Sequence, residues 1–496
     1  ADGGMVTMSA QAVTDVIKSV VNQDGVIRAQ SMAERNGVVV LSGGPEGIVS
    51  VSGTIDASGH QTPSPLEGEG QGEGGLKGGT VQVTGQYVGL FGATVNASGD
   101  AGGGTVLVGG DFQGKNPEVK NAFRTYVSSD STINADAITN GNGGKVIVWA
   151  DDITRYYGNI SARGGAQGGD GGFAEVSGKR LLDFKGKVDM GAQNGAAGTI
   201  LLDPLNITIA DAAGAGAGDG GLVGSTLAFT TNSGGTSVLG QDTVEALGGA
   251  VILQATQDII VEDLTENELN FASATSVVFQ AGRHITFQGA ATDALKVLSG
   301  TSVHLEADTP HSAGGSAAAD GVGTLTIGAI TSAGNSAVTL IAADFALSGT
   351  ITAGSGNIAI GTSQNTALTL GTGGILLDSE LDFLSSSGTV TVGQAATKGT
   401  NGAGAGAVTL TATTLTVASA LSTPGTITGT LALTGNSIVI SGNVTTANST
   451  TGGTPSGNIS LTADTTTLAL NANLTTGNAA VVDTAGSESA TTGNIA

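Results

Sequence analysis

The stretch TSVHLEADTPH brings together the side chains of this sequence that are best suited to acid–base chemistry. Because side chains alternate between the two faces of a strand, His304, Glu306 and Asp308 are predicted to share one face. His311 follows after a turn, and His284 lies earlier in the chain. Carboxylates beside imidazoles suit metal binding or the acid–base cleavage of polysaccharides.

A polar strand face has a simpler explanation, because the face that meets water is polar in most half-buried strands. We therefore interpret His304, Glu306 and Asp308 as an exposed strand face, and we predict no catalytic residue, no cofactor and no bound metal. Catalysis by these three side chains is kept as the alternative. Asp170 lies in GGDGG, a fragment of the glycine–aspartate repeats that bind calcium, so weak calcium binding stays open.

Aromatic side chains, on which sugars stack, are scarce at 3% of the residues. Trp149, Tyr156 and Tyr157 form a small group in the sequence, and sugar stacking on them stays open. The sequence has no cysteine, so thiol chemistry and disulfide bonds are excluded.

The elements that position these residues are short strands that recur along the chain. Residues 78–99, 143–164 and 171–192 align without gaps, each with three apolar/polar alternations separated by breaks. Four columns of this alignment are apolar: Val81, Val146 and Ala174; Val83, Val148 and Val176; Val88, Ile153 and Leu181; and Val95, Ile160 and Val188.

Three strands within about 22 to 28 residues cannot bury an apolar face among themselves, so each must pair with its equivalent in the next repeat. We predict an all-β fold, a right-handed parallel β-helix with a few inserted loops. The 84 glycines suit the corners of such a coil, and small aliphatic residues suit its narrow interior. The positive mean hydropathy of +0.19 disfavours a disordered chain.

The pattern divides the chain into segments. Two insertions interrupt the coils, a polar loop at 60–77 and a more structured one at 111–130. The predicted segments are an N-terminal flap or short helix at 1–36, a first β-helix segment at 37–211, a Gly/Ala-rich linker at 212–240, and a second β-helix segment at 241–496 that becomes rich in Thr, Ser and Asn.

The formal net charge is −24, and 14 of the 17 Lys and Arg residues lie within residues 1–187. An acidic surface repels phosphate backbones, so we expect no nucleic-acid partner. No run of 18 apolar residues occurs, so no transmembrane helix is predicted.

Several segments resemble a known family. GGTVLVGGDFQG, NADAITNGNGGKVIVWADDITRYYGNISARGG, GGDGGFAEVSGK and GTILLDPLNITI are similar to stretches of large exoproteins of the bacterial two-partner secretion pathway, the filamentous-haemagglutinin-like adhesins. The resemblance is specific over residues 37–211, weaker over 240–310 and compositional beyond. It implies a right-handed β-helical fibre that is exported through an outer-membrane β-barrel transporter.

The same resemblance implies a secreted, non-enzymatic fibre or adhesin, at the cell surface or in the extracellular biofilm matrix of a Gram-negative-type bacterium. The implied partners are the transporter, further copies of the chain arranged end to end or side by side, and glycans or proteins of host or neighbouring cells. The alternative function is that of a carbohydrate-active β-helix enzyme, either a polysaccharide lyase or a glycoside hydrolase.

The N-terminal ADGGMVTMSAQ departs from the family, because it matches neither a signal peptide nor the family's secretion domain. We expect the chain to be an interior region or a processed product of a longer exoprotein. We also expect the native polypeptide to continue with further coils, or copies to stack end to end, because bare coil ends recruit other strands.

Deletion of residues 60–77 is expected to leave thermal unfolding almost unchanged, because added loop length contributes little to the free energy of closing a loop. The join from DASG to GGTV that this loop interrupts is nearly direct elsewhere, in NASGDAGGGTV at 96–106. Thermal unfolding followed by circular dichroism measures the effect. A large drop in melting temperature would show that the segment packs against the coils.

Overall fold

The computed structural model describes most residues up to 363 and shorter pieces beyond. The described residues are 4–10, 20–31, 36–60, 75–211, 222–223, 226–227, 236–289, 292–309, 321–332, 334–363, 368–370, 375–381, 383–386, 390–394, 408–417, 421–422, 431–440, 444–445, 458–470, 474–475 and 478–483. They form two compact units, one ending at Thr256 and one beginning at Gln257, except that Ser273–Thr275 belong with the first.

Short strands follow one another along the first unit. In chain order they begin with β1 (Met5–Ser9), β2 (Val20–Gln23), β3 (Val26–Arg28), β4 (Val38–Ser42), β5 (Ile48–Val51), β6 (Thr54–Asp56), β7 (Thr80–Thr84), β8 (Tyr87–Leu90), β9 (Thr94–Asn96) and β10 (Thr105–Val108). After the 3-10 turn η1 (Phe112–Gly114) come β11 (Arg124–Val127), β12 (Thr132–Asn134), β13 (Lys145–Ala150), β14 (Ile153–Tyr156), β15 (Asn159–Ser161), β16 (Phe173–Gly178), β17 (Leu181–Phe184), β18 (Lys187–Asp189), β19 (Thr199–Leu202) and β20 (Ile207–Ala210). The unit closes with β21 (Leu222–Val223), β22 (Thr226–Leu227), β23 (Ser237–Gly240), the helix α1 (Gln241–Glu245) and β24 (Gly249–Ala255).

Three parallel sheets run through the first unit, and up to β18 every third strand joins the same sheet. The first sheet has the order β1, β4, β7, β10, β13, β16, β19, β24. The second is β2, β5, β8, β11, β14, β17, and the third is β3, β6, β9, β12, β15, β18. This stepping is that of a parallel β-helix, so the predicted fold class is confirmed, and the hand of the coil stays a prediction.

Aliphatic side chains fill the interior in columns, as the alignment predicted for the first and third strands. The columns shared by consecutive coils are Val81, Val106, Val146 and Ala174 in the first sheet, and Val95, Ile133, Ile160 and Val188 in the third. The four side chains of the first-sheet column are fully buried. Each Å² of apolar surface that a coil buries stabilises the fold by about 25 cal/mol, and this burial holds the stack together.

The alignment is wrong by one residue in the second strand. Val88 lies level with Thr154 and Leu182, not with Ile153 and Leu181. β13 and β16 have six residues where β7 has five, so the next strand is displaced by one position. Thr154 is therefore an interior residue, and its hydroxyl donates to a main-chain carbonyl oxygen of the neighbouring coil at 2.6 Å.

The described N-terminal residues form a coil of their own rather than a flap. β1, β2 and β3 pair in parallel with β4, β5 and β6, so the coils begin before Val38. Val20 and Val21 have helical spacing to earlier apolar residues, yet they belong to β2, because pairing with the next coil overrides a local pattern. Residues 11–19 of the predicted helix lie outside the described residues.

The ends of the predicted loop at 60–77 take part in a turn. His60 Nδ1 lies 3.0 Å from Asp100 Oδ1, and the Ala101 N–H donates to the Leu76 carbonyl oxygen at 3.0 Å. Residues 61–74 lie outside the described residues. A deletion limited to 61–74 is therefore a sharper form of the loop experiment.

The second insertion is shorter than predicted, because β11 already begins at Arg124 and pairs with β8 and β14. Most of the predicted linker at 212–240 lies outside the described residues. Its described end, β23, is a parallel partner of β20.

The second unit repeats the same architecture. Its elements are β25 (Ile259–Val261), β26 (Glu268–Phe271), β27 (Ala274–Ala281), β28 (Ile285–Phe287), β29 (Ala294–Val297), β30 (Ser302–Ala307), β31 (Thr324–Ile327), β32 (Ala329–Ser332), β33 (Val338–Ala342), β34 (Asp344–Leu347), β35 (Ile351–Gly354), β36 (Ile358–Thr362), β37 (Leu368–Leu370), α2 (Asp378–Leu381), β38 (Leu384–Ser386), β39 (Val390–Gln394), β40 (Val408–Val417), β41 (Leu421–Ser422), β42 (Leu431–Ile440), β43 (Val444–Thr445), β44 (Asn458–Leu470), β45 (Leu474–Thr475) and β46 (Asn478–Asp483). Parallel ladders join β27, β30, β33, β36, β39, β40, β42, β44 and β46, and shorter ladders join β25, β28, β31, β34 and β26, β29, β32, β35, β38. Among the helices of the described residues, none is long and apolar enough to cross a membrane.

Among the described residues, a tyrosine hydroxyl inside the first unit is unpaired. Tyr156 is fully buried, its ring stacks on Phe184 with 5.7 Å between centroids, and its hydroxyl has no hydrogen-bond partner among the described residues. A buried hydroxyl without a partner costs about 1 to 3 kcal/mol. Tyr156→Phe is therefore expected to raise the free energy of unfolding or leave it unchanged, as measured by urea denaturation.

Tyr157→Phe is the matched control, because the Tyr157 hydroxyl donates to Asp183 Oδ2 at 2.6 Å. Loss of this hydrogen bond is expected to lower stability by about 1 kcal/mol. A Tyr156→Phe protein that is less stable than the Tyr157→Phe protein would contradict the assignment of an unpaired interior hydroxyl.

Candidate functional site

The predicted polar face of β30 exists for two of its three residues. His304 and Glu306 both lie on the partly exposed side of the strand, and His304 Nε2 is 3.1 Å from Glu306 Oε2. The Gln280 side-chain amide donates to the same carboxylate oxygen at 3.0 Å. Imidazole, carboxylate and amide therefore engage one another across two neighbouring coils.

Asp308 is not on this face, which corrects the prediction. β30 ends at Ala307, and Asp308 has a φ of +61°, so the alternation of side chains stops before it. Its carboxylate is buried and accepts hydrogen bonds from the Gly321 N–H at 3.1 Å and the Ser363 hydroxyl at 2.5 Å. Asp308 thus anchors a turn, and its carboxylate does not join the other two side chains.

His284 does not complete that group. His284 Nδ1 accepts a hydrogen bond from the Thr324 N–H at 3.0 Å. His311 lies outside the described residues. His304 and Glu306 therefore lie on the outer face of β30, whereas Asp308 follows the end of the strand.

A different pair of carboxyl groups lies on the first sheet of the first unit. Glu175 belongs to β16, and Asp203 directly follows β19 on the next coil. Glu175 is fully buried and Asp203 is 1% exposed, although the outer face of a solenoid normally meets water. The insertion between β10 and β11, residues 109–123, covers them, and we call it the cap segment.

Gln113 fastens the cap segment to both carboxyl groups. Its main-chain N–H donates to Glu175 Oε2 at 3.0 Å, and its side-chain amide donates to Asp203 Oδ2 at 3.3 Å. The same amide donates to Gln254 Oε1 at 2.9 Å, and its oxygen accepts from Lys115 Nζ at 2.7 Å. One side chain of the cap segment is thus hydrogen-bonded to two different coils.

The local sequence allows the cap segment to fold tightly over the sheet. Gly114 has a φ of +61°, and a Cβ there would lie 2.6 Å from Trp149 Nε1. Trp149 is consequently 1% exposed and packs against Val119 of the cap segment. An ion pair of 2.6 Å between Lys145 Nζ and Asp111 Oδ1 holds the beginning of the segment.

Both carboxyl groups titrate near neutral pH. Burial is the main reason that the pKa of Glu175 is raised to about 8; the charge of Asp203 adds to the shift, and the Gln113 N–H opposes it. Burial raises the pKa of Asp203 to about 7 against the opposing effects of Lys115 and Gln113. Such groups suit proton transfer at neutral pH, but here the cap segment separates them from solvent.

The sequence analysis missed this pair because its members are far apart in the chain and form no motif. A signal existed in the column that contains Glu175. Its ladder partners are Ile147 and Leu201, so one carboxyl group interrupts an apolar column on the outer face. Apolar residues at equivalent positions on the outer face indicate that another segment covers this face. The predicted insertion at 111–130 was a segment that could cover it.

Trp149, Tyr156 and Tyr157, the residues considered for sugar stacking, do not form one exposed surface. Trp149 lies beneath the cap segment, and Tyr156 lies inside the coil. Tyr157 is partly exposed, and its ring centroid is 5.9 Å from that of Tyr126, which stacks on Phe91 at 5.2 Å. These three rings form a row that covers the outer face of the second sheet.

Metal binding and similarity to known proteins give no further assignment. In the part of the chain that the structure describes, no three His, Asp or Glu side chains are grouped closely enough to hold a metal ion. No protein-family model and no curated protein matches this chain.

The raised pKa of Glu175 predicts a stability that falls as pH rises. From the ordinary value of 4.5 up to about 8, the folded protein retains a proton that the unfolded chain has lost. The stabilisation linked to this proton is complete below the lower value and disappears as pH passes the upper one. Glu175→Gln removes the titration, so its stability relative to wild type should increase by roughly 1 to 3 kcal/mol between pH 5 and pH 8.

Urea unfolding at a series of pH values measures this difference. Glu118→Gln is the control, because Glu118 is an exposed residue of the same cap segment, and it should keep the wild-type pH dependence. Parallel pH profiles for wild type and Glu175→Gln would refute the assignment.

Proposed function

We propose that this chain is a secreted, non-enzymatic β-helical fibre or adhesin of the two-partner secretion type. The observation that carries the proposal is the continuous parallel ladder of the first sheet, from β1 to β24, in the first unit. Residues 37–211, whose segments resemble such exoproteins, supply most of this ladder. A surface that repeats with the strand spacing of about 4.8 Å suits many weak contacts acting together.

Export and attachment follow from the same proposal. The protein acts outside the cell, at the surface or in the matrix of a Gram-negative-type bacterium, after passage through an outer-membrane β-barrel transporter. Its partners there are other copies of itself and glycans or proteins of host or neighbouring cells. The negative charge of −24 keeps such a chain soluble and disfavours nucleic acid as a ligand.

The carboxyl pair beneath the cap segment supports a structural role. Glu175 and Asp203 both accept hydrogen bonds from Gln113, so their polar atoms are used to attach the cap segment. A catalytic acid has to reach the bond that it protonates. In the described structure that space is occupied by the protein's own glutamine.

A carbohydrate-active enzyme is the second candidate, and one observation favours it. The pKa values of about 8 for Glu175 and about 7 for Asp203 suit a general acid and base at neutral pH. This function requires the cap segment to move away from both carboxyl groups before a sugar can enter.

Beads coated with the purified chain are expected to bind epithelial or bacterial cells several-fold better than beads coated with serum albumin, an acidic globular protein, because a repeated surface binds multivalently. Flow cytometry of bead–cell pairs measures the binding. The same preparation is expected to release no reducing or unsaturated ends from acidic polysaccharides. Release of such ends by wild type, abolished in Glu175→Gln, would replace the adhesin proposal with the enzyme.

A further inference from the structure

The third sheet of the first unit ends at β18, and a groove opens there. β18 pairs with β15 on one side, and no described strand pairs with its other side. The helix α1 lies opposite, and together they enclose a groove of about 620 Å³. This volume falls within the usual range of small-ligand sites, about 300 to 1,000 Å³.

The edge of β18 presents main-chain groups to the groove. The Lys187 N–H donates to the Gly158 carbonyl oxygen at 3.0 Å, and the Asp189 carbonyl oxygen accepts from the Ala162 N–H at 2.9 Å. Both bonds point towards β15. Because main-chain groups of a parallel strand alternate in direction, the N–H and C=O of Val188 point the other way, towards α1.

The side chains around the groove combine cations with neutral polar groups. Lys185 and Lys187 are exposed, and neither is ion-paired within the described part of the chain. Asn134 and Asn159 provide amides, and the partly exposed Val188 provides an apolar wall. Amides, ammonium groups and an apolar wall match the hydroxyls, carboxylates and C–H faces of sugar rings.

The charge around the groove contrasts with the rest of the chain. Two lysines, Lys185 and Lys187, line the groove within a protein of net charge −24, and Asp189 and Asp242 are the acidic residues of the lining. Asp183 accepts the Tyr157 hydroxyl at 2.6 Å, and Lys185 Nζ lies 5.9 Å from the centroid of the Tyr157 ring. The two lysines can therefore meet carboxylates of a ligand at this groove, whereas the net negative charge of the chain disfavours anions elsewhere.

The carboxylates at the groove do not cancel this preference. Asp189 is ion-paired with Arg163 at 3.6 Å, which leaves Asp242 of α1 on the opposite wall as a hydrogen-bond acceptor for hydroxyl groups. A sugar that carries both a carboxylate and hydroxyls can face both walls. An extended peptide fits less well, because β18 has only three residues to pair with it.

We propose that the groove between β18 and α1 binds a uronic-acid oligosaccharide, with Lys185 and Lys187 contacting its carboxylates. The inference deepens the proposed function and rests on it, since it names the glycan class that the adhesin recognises. The amides of Asn134 and Asn159 contact sugar hydroxyls, and Val188 contacts an apolar ring face.

The test is isothermal titration calorimetry of the full chain with a hyaluronan hexasaccharide, which alternates glucuronate with N-acetylglucosamine. The double variant Lys185→Gln/Lys187→Gln is expected to weaken binding at least tenfold. Lys179→Gln, an exposed cation of the same stretch that does not line the groove, should bind like wild type. A dextran hexasaccharide, which is neutral, should not bind, and unchanged thermal unfolding of the variants shows that they are folded.

The other outcomes distinguish failure of the inference from failure of the proposed function. Equal binding by wild type and the double variant places the glycan elsewhere, and tighter binding of a poly-glutamate peptide assigns the groove to acidic peptides. No binding of the hexasaccharide by a wild-type chain whose beads still adhere to cells refutes the groove and leaves the adhesin proposal standing. If the hexasaccharide binds but the beads do not adhere to cells, the proposed function is refuted and the groove remains a glycan site.

Discussion

The parallel register between successive coils is the constraint on which the rest of this structure depends. In such a ladder each residue lies about 4.8 Å from the residues at the same position in the coils before and after it. Val106, for example, lies between Val81 and Val146. Each interior side chain must therefore pack against the equivalent side chains of the neighbouring coils. This explains why interior columns repeat small aliphatic residues and why the sequence has few aromatic ones.

The same constraint explains the cost and the treatment of Glu175. A carboxyl group here lies between two apolar ladder partners, Ile147 and Leu201. The cap segment closes this face with Trp149 and Val119, and Gln113 satisfies the carboxyl group that would be left without partners. Attachment of the cap segment and burial of this carboxyl group are thus one event, which links the stability of this region to pH.

Departures from the regular coil give the protein its individual surfaces. The cap segment covers one face, and α1 leaves the edge of β18 facing a groove instead of another strand. A regular ladder presents the same shallow surface at every coil, and a fold alone does not specify a function. Recognition is therefore best sought where the coil is interrupted, as at the groove beside β18, where polar groups from several elements converge.

The sequence by itself determined the fold class, because the alternation of side chains and the glycine corners are local, and it correctly aligned Val81 and Val95 with their coil partners. It misplaced Val88, since the one extra residue in β13 is invisible to an alignment without gaps. It also placed Asp308 on a strand face, although the strand ends one residue earlier. The union of Glu175 with Asp203 through Gln113, and the groove beside β18, were decided only by the tertiary structure. Gln113 is hydrogen-bonded to a residue 141 positions away in the sequence. Such long-range contacts depend on the number of residues between the strands of every intervening coil, which cannot be read from a short segment.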